Sequence, residues 1–299
     1  MPANAPIAVF AYQRSELLQQ TLHALSLCDA FHPSRVHVFC DQAATARDEP
    51  SVAATRDVAR DWCRQHGTRL VLRDANLHFA NITQGLTELT ESEGAVISLE
   101  DDHRPAAGFL AFLDHALARY RDEENVFQVA AAVPGPMEPG IPDTFFLPVP
   151  MPIGWGTWRR AWRCFDWDAA GSAGLLADPA ARSAFDLDGA YPASRLLERA
   201  LRGDFQSYFI RWYLAMFLRR GLALVSRRAL VHNSGLDSGV HAMAPDAARN
   251  RFFNANWNGA DARLEHSRAY PAEIAVTPEA LAWFRARMLS WSTRRQTIV

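Results

Sequence analysis

A three-layer α/β fold, with a mostly parallel central sheet covered by helices on both faces, is predicted by three features of this chain. Short apolar runs alternate with amphipathic stretches of helical period. The runs are apolar throughout, as strands buried on both faces must be. Polar residues cluster just after several of them, at the edge where open parallel sheets hold ligands. The chain has 299 residues, 49% of them hydrophobic. That suits one large domain or two modest ones with a sizeable core.

Residues 7–11 (IAVFA) read as a brief buried strand. A helix opened at Ser15 follows, with Leu17, Leu18, Leu22 and Leu25 on one side. Further strands are expected over 35–40, 69–73, 95–99 and 126–132, separated by helices over 52–66, 82–91 and 109–120. From Pro134 the texture changes: seven prolines between 134 and 152 predict a long irregular connection that lines a site. A helical run over 208–219 and a short strand over 222–226 come next. A closing helix over 278–291 has Thr277 as its cap and proline at its first position. These elements divide into a lobe over 1–133, a second over 134–245 and an extension over 246–299 packed on the same domain. No internal repeat is present.

Composition excludes more than it selects. The net charge of −2 provides no global field for nucleic acid. All 31 basic side chains are arginine. A Walker A loop, a pyridoxal Schiff base and a lysine general base are therefore unavailable. G-x-G-x-x-G, G-x-S-x-G and H-E-x-x-H are absent as well. The four cysteines lack C-x-x-C spacing, which predicts reduced thiols in a cytoplasmic protein. No run approaches a membrane span, and residues 1–6 are not a signal peptide. Peripheral contact between arginine patches and anionic lipid stays open.

The run Val96-Ile97-Ser98-Leu99-Glu100-Asp101-Asp102-His103 carries the chemistry. Three consecutive acids at a strand end repel one another, and a divalent cation carrying a diphosphate would relieve that repulsion. The alternative is an acidic turn capping the helix that follows. Tyr12, Arg14 and Asp41 fall at the same edge. Arg14 suits phosphate oxygens or a helix start; Asp41 suits ligand reading or an ordinary strand-end turn.

PIAVFAYQRSELLQQTLHAL resembles the opening of GT-A glycosyltransferases, and the closest pattern is that of N-acetylglucosaminyltransferase I-like and related bacterial (family 2-like) sugar transferases. VHVFCDQA is similar to the second strand with its uracil-reading acid, and ISLEDDHRPAAGFLAFLDHAL to the metal-binding strand and the helix behind it. PIGWGTWRRAW resembles the acceptor-side Gly-Trp loop, GDFQSYFIRW the segment of the catalytic base, and HNSGLDSGVHA the closing N-x-G-x-D-x-x-G-x-H segment. That last segment is one residue shorter here between Asp237 and Gly239, and Phe205-Gln206 replaces a common Trp-Asp. The resemblance spans roughly residues 6–245 in unbroken order.

The resemblance implies a GT-A (Rossmann-like) sandwich that transfers sugar from a nucleotide-diphosphate donor, UDP-sugar favoured, to a glycan or lipid-linked acceptor. It implies inversion of configuration and a role in surface polysaccharide or glycoconjugate synthesis. Asp102 would bind Mn²⁺ or Mg²⁺, with His241 as a second ligand, preferred over His232. Ala11, Tyr12, Arg14, Asp41, Glu100 and Asp101 would hold nucleotide and donor. Asp204 would be the base that takes the acceptor proton, or an N-cap, with Asp237 in reserve. Gly154, Trp155 and Trp158 would meet the acceptor, Trp155 and Trp158 as stacking faces or as core; Trp162 and Trp212 read as core. Arg159, Arg160 and Arg163 suit an anionic acceptor or plain solvated surface. Two rival classes are a sugar-phosphate nucleotidyltransferase, which normally needs a glycine-rich basic loop not found here, and a non-catalytic nucleotide- or sugar-binding protein on the same fold.

Overall fold

A computed structural model describes residues 4–236, 247–264 and 270–296. The first half is a β/α alternation: β1 (Ile7–Ala11), α1 (Ser15–Ser26), β2 (Val36–Cys40), α2 (Glu49–His66), β3 (Arg69–Leu72), α3 (Phe79–Glu93) and β4 (Ala95–Glu100). A short strand β5 (His103–Pro105), helix α4 (Phe109–Arg119) and β6 (Val126–Ala130) follow. The second half holds β7 (Thr144–Leu147), β8 (Trp155–Trp158) and α5 (Arg159–Trp162). Helices α6 (Ser172–Ala177), α7 (Pro179–Phe185), α8 (Ala193–Leu201) and α9 (Tyr208–Leu218) come next. The chain then forms β9 (Leu222–Ser226), β10 (Val231–Asn233), α10 (Ala247–Phe253) and α11 (Pro278–Gln296).

The central sheet has eight strands in the order β3-β2-β1-β4-β8-β6-β9-β7. All run parallel except β8, antiparallel to both β4 and β6, and β7, antiparallel to β9. The result is the expected Rossmann-like α/β/α sandwich. Strands from either side of residue 133 share this one sheet, because β8 inserts between β4 and β6. The helices between the strands cover both faces, and each face has its own core. Phe39, Leu86, Phe145, Trp155 and Trp212 lie in one, and Leu22, Val38, Phe112, Phe146 and Trp158 in the other. The helix α11 closes the first core with Ala280, Trp283 and Phe284, and the indole N–H of Trp283 donates to the Pro136 carbonyl at 3.1 Å.

Local rules explain where the elements stop. Gly94 takes φ +85° as the cap of α3, so the chain reverses directly into β4 without a Cβ penalty. Ser207 starts α9 by accepting the Ile210 N–H at 3.3 Å. A charged pair is buried beneath β2: Arg35 donates to Asp114 at 2.6 and 2.9 Å and to the Ala5 carbonyl at 2.7 Å. Burial pushes the Asp114 carboxyl up and Arg35 pulls it back.

Several expectations are corrected. The proline-rich stretch is not irregular throughout: it contains the edge strand β7, flanked rather than interrupted by proline. The Gly-Trp loop contains a central strand, β8. Helices α6, α7 and α8 over 172–201 are additional to the expected elements. Thr277 does precede α11 as its cap residue, its carbonyl accepting the Leu281 N–H at 2.9 Å, while its hydroxyl accepts the Phe146 N–H at 3.2 Å. The cysteines are free, as expected. Among the described residues no helix is long and apolar enough to cross a membrane.

Candidate functional site

The register of β1 against β4 pairs Phe10 with Glu100, which carries Tyr12 and Arg14 alongside the acids at the carboxyl edge. There the chain leaves the large sheet and enters a two-stranded ribbon in which His103 pairs with Asn233. Backbone and side-chain bonds fix this turn. Thr21 Oγ1 donates to the Asp101 carbonyl at 2.9 Å, and the Ser234 N–H donates to the Asp102 carbonyl at 2.8 Å. The Glu100 N–H donates to His103 Nδ1 at 3.1 Å, so the neutral ring carries its proton on Nε2. Burial lowers the His103 pKa despite the neighbouring Asp102.

Arg14 is the counter-ion of the acids. Its Nη1 donates to Asp102 Oδ2 at 2.7 Å and its Nη2 to Asp101 Oδ1. Burial disfavours the guanidinium, but Asp101 and Asp102 outweigh that and raise its pKa. Asp101 is spent locally, since its second oxygen accepts the Tyr12 N–H at 3.4 Å. Burial, reinforced by Asp102, pushes the Glu100 carboxyl up to about 8. Tyr208, buried beside Glu100, is held protonated by the same desolvation. Gly235 closes the turn so tightly that a Cβ there would lie 2.1 Å from Asp102 Oδ2.

Two clefts open on this edge. The first, about 170 Å³, runs between the ends of β1 and β2 and is lined by Tyr12, Arg14, Asp41, Asn76, Glu100 and Asp101 among others; Ala11 also lines it. The second, about 150 Å³, lies on the ribbon side and includes Glu100, Asp102, His103, Asn233 and Phe253. Glu100 belongs to both. Asp41 is buried, and its carboxylate accepts the N–H groups of Gln42, Leu77 and His78 at 2.8–2.9 Å. It therefore anchors the loop after β3 against the cleft. Asn76 Oδ1, in the same wall, is buried and has no hydrogen-bond partner among the described residues.

A divalent ion is tested by Asp102 Oδ1. That oxygen is buried without a hydrogen-bond partner among the described residues, and His103 Nε2 stands 3.6 Å away, too far to satisfy it. No group of three or more His, Cys, Asp or Glu side chains forms a cage among the described residues. A lone orphaned carboxylate oxygen fits an ion held by one or two carboxylates and chiefly by substrate phosphates, as Mg²⁺ commonly is.

Other expected site residues lie elsewhere. Asp204 is half exposed, pairs with Arg202 at 2.9 Å and lines neither cleft. The cap role falls to Ser207. Trp155 and Trp158 are buried in β8, where Trp158 Nε1 donates to the Leu117 carbonyl at 3.0 Å, so neither presents a face to a sugar. Gly154 packs against Val231 and Phe109, where a Cβ would meet Val231 at 2.5 Å. Arg160 donates to the carbonyls of Tyr120, Arg121 and Val126, while Arg159 and Arg163 pair with Glu91. Asp237 and His241 lie outside the described residues; His232 is buried on β10. Sequence reasoning missed Asn76, Asn233 and Tyr208. Asn76 lies in the loop that follows β3, so the edge rule could have found it.

No family model matches the chain, and no curated protein matches its sequence. Among solved structures, a Leptospira borgpetersenii cytidylyltransferase is 10% identical with TM-score 0.34, covering 55% of this chain and 63% of its own. Staphylococcus aureus TarS 1-349 is 11% identical with TM-score 0.43, covering 78% and 61%. Mouse xyloside xylosyltransferase 1 is 9% identical with TM-score 0.37, covering 72% and 81%. This chain thus spans less than two thirds of the first two.

Proposed function

We propose that this chain transfers a sugar from a nucleoside-diphosphate sugar, UDP-sugar favoured, to a hydroxyl of a glycan or lipid-linked acceptor. What supports this most is the convergence of Arg14, Glu100 and Asp102 on one sheet edge between two clefts that share Glu100. In this reading the base lies in the first cleft, where Asn76 Oδ1 accepts from a ring N–H or amino group. Arg14 turns one guanidinium edge to the diphosphate while remaining tethered to the acids. Mn²⁺ or Mg²⁺ would be held at Asp102 and would supply Lewis-acid stabilisation of the leaving diphosphate.

In the reaction the bond from the anomeric carbon to the diphosphate oxygen breaks and its electron pair leaves with the diphosphate. The acceptor oxygen forms the new bond, and its proton passes to a carboxylate. Glu100 replaces Asp204 in that role, because it alone lines both clefts. Single displacement with inversion is the stereochemistry this arrangement suits.

The test is thermal unfolding with UDP, GDP, CDP or dTDP, each with and without Mn²⁺. A ligand that binds only the native state raises apparent stability by mass action. The expected result is a metal-enhanced shift with one nucleotide, lost in Asp102→Asn and kept in Glu100→Gln. The absence of a shift with every nucleotide would sink the proposal. Product analysis then separates the rival chemistry: release of pyrophosphate from a nucleoside triphosphate and a sugar phosphate would mean nucleotidyl transfer.

A further inference from the structure

The second cleft contains polar groups that the donor reading leaves unused. Asn233, at the end of β10, is held by its backbone: its N–H donates to Asn254 Oδ1 at 2.9 Å, and its carbonyl accepts from Asn254 Nδ2 at 3.0 Å. Its side-chain Oδ1 is nevertheless buried with no hydrogen-bond partner among the described residues. A buried amide oxygen left unpaired is destabilising, and a polar ligand group in the cleft would supply the missing partner. The cleft is lined on its apolar side by Pro152, Ile153, Leu236 and Phe253, with the Arg249 guanidinium over the Phe253 ring at 5.8 Å, and on its polar side by Glu100 and Asp102.

We propose that this cleft seats the acceptor, and that it recognises a sugar ring by one hydroxyl on the Asn233 amide and by its apolar face on the Phe253 side. A hydroxyl both donates and accepts, so it satisfies an amide presented by either end. A sugar ring carries one C–H-rich face and a rim of hydroxyls, which matches a wall that is apolar on one side and polar on the other. The position follows from Glu100. A ring seated against Asn233 meets the Glu100 side chain, which also lines the donor cleft. The tryptophans first expected to hold the acceptor are buried in β8 and are not available for this.

This inference rests on the transferase reading, and its test separates the two. The nucleotide that gives the thermal shift is added to saturation with Mg²⁺. Methyl glycosides of glucose, galactose and N-acetylglucosamine are then followed by saturation-transfer difference NMR. At least one glycoside is expected to give signal in the wild type. Asn233→Ala is expected to weaken its binding about threefold to tenfold, the loss of one hydrogen bond, and Phe253→Leu to remove transfer to the ring C–H protons. The nucleotide shift should survive in both variants, which also reports that they fold; Asn233→Ser serves if Asn233→Ala does not. A glycoside signal equal in all proteins, or no glycoside signal at all, overturns the acceptor assignment while leaving the nucleotide result standing. Loss of the metal-enhanced nucleotide shift in Asn233→Ala also overturns it, since Asn233 would then serve the donor site.

Discussion

Gly235→Ala puts the assembly of the acid turn under direct strain. A Cβ at Gly235 falls 2.1 Å from Asp102 Oδ2 and 3.0 Å from Arg14 Nη1, both well inside contact distance. Asp102 carries the 2.7 Å bond to Arg14 and its side chain is only 10% exposed, so it has little room to yield. Moving it forfeits a charge-assisted hydrogen bond of about 1.5–3 kcal/mol, and overpacking adds about 1–3 kcal/mol. Allowing for partial relaxation, a loss of about 2–4 kcal/mol follows, lowering Tm by about 4–8 °C at this chain length. Nucleotide-induced stabilisation should fall with it. The assay is thermal and urea unfolding of Gly235→Ala, Asp102→Ala and the double variant. Once Asp102 is truncated the added methyl has space, so the two effects should be coupled by at least about 1 kcal/mol. Gly174→Ala is the control, since its Cβ meets nothing within 4 Å and helix α6 should gain slightly. Gly235→Ala unfolding within about 0.5 kcal/mol of wild type, with nucleotide binding intact, would refute this account of the turn.

Three further outcomes are expected. Asp114→Ala strands the buried Arg35 guanidinium and should cost about 3–5 kcal/mol, read by urea denaturation; the double change Arg35→Met/Asp114→Leu should recover most of that. Ser207→Ala removes the cap of α9 and should cost about 1 kcal/mol by the same measurement. His37 sits with its pKa lowered by burial and by Arg69, partly opposed by Glu93 and Glu88. A lowered folded pKa means that the folded state binds fewer protons, so its contribution is complete above about 6.5 and is lost as the pH falls toward the folded value. The Tm-versus-pH curve of His37→Leu should therefore be flatter than wild type between about pH 7 and 5, and identical slopes would exclude the effect.

Much of the fold was legible because short buried strands and amphipathic helices leave local patterns. The strand over 7–11 and the strand over 222–226 coincide with the observed β1 and β9, and the helix over 208–219 differs from α9 by one residue. The acids were equally legible as a cluster at a strand end. What each acid does was not, because Asp101, Asp102 and Glu100 are adjacent in sequence and differ only in surroundings. Asp101 is saturated by Arg14 and Tyr12, Asp102 keeps one buried oxygen unpaired, and Glu100 faces two clefts.

Residue types and spacing determined the sheet, its ligand-binding edge, the absence of lysine chemistry and the charge cluster that any ligand must meet. Those properties are local: apolar period, turn residues and charge are written within a few positions of one another. Tertiary structure alone decided that β8 joins the sheet between β4 and β6, burying Trp155 and Trp158, and that Asp204 stays at the surface with Arg202. It also set Asn233 of β10 into the same cleft as Asp102 and Glu100, more than a hundred positions earlier. Such pairings depend on long-range strand register and on competition for burial across the whole core, and no short window of sequence contains either.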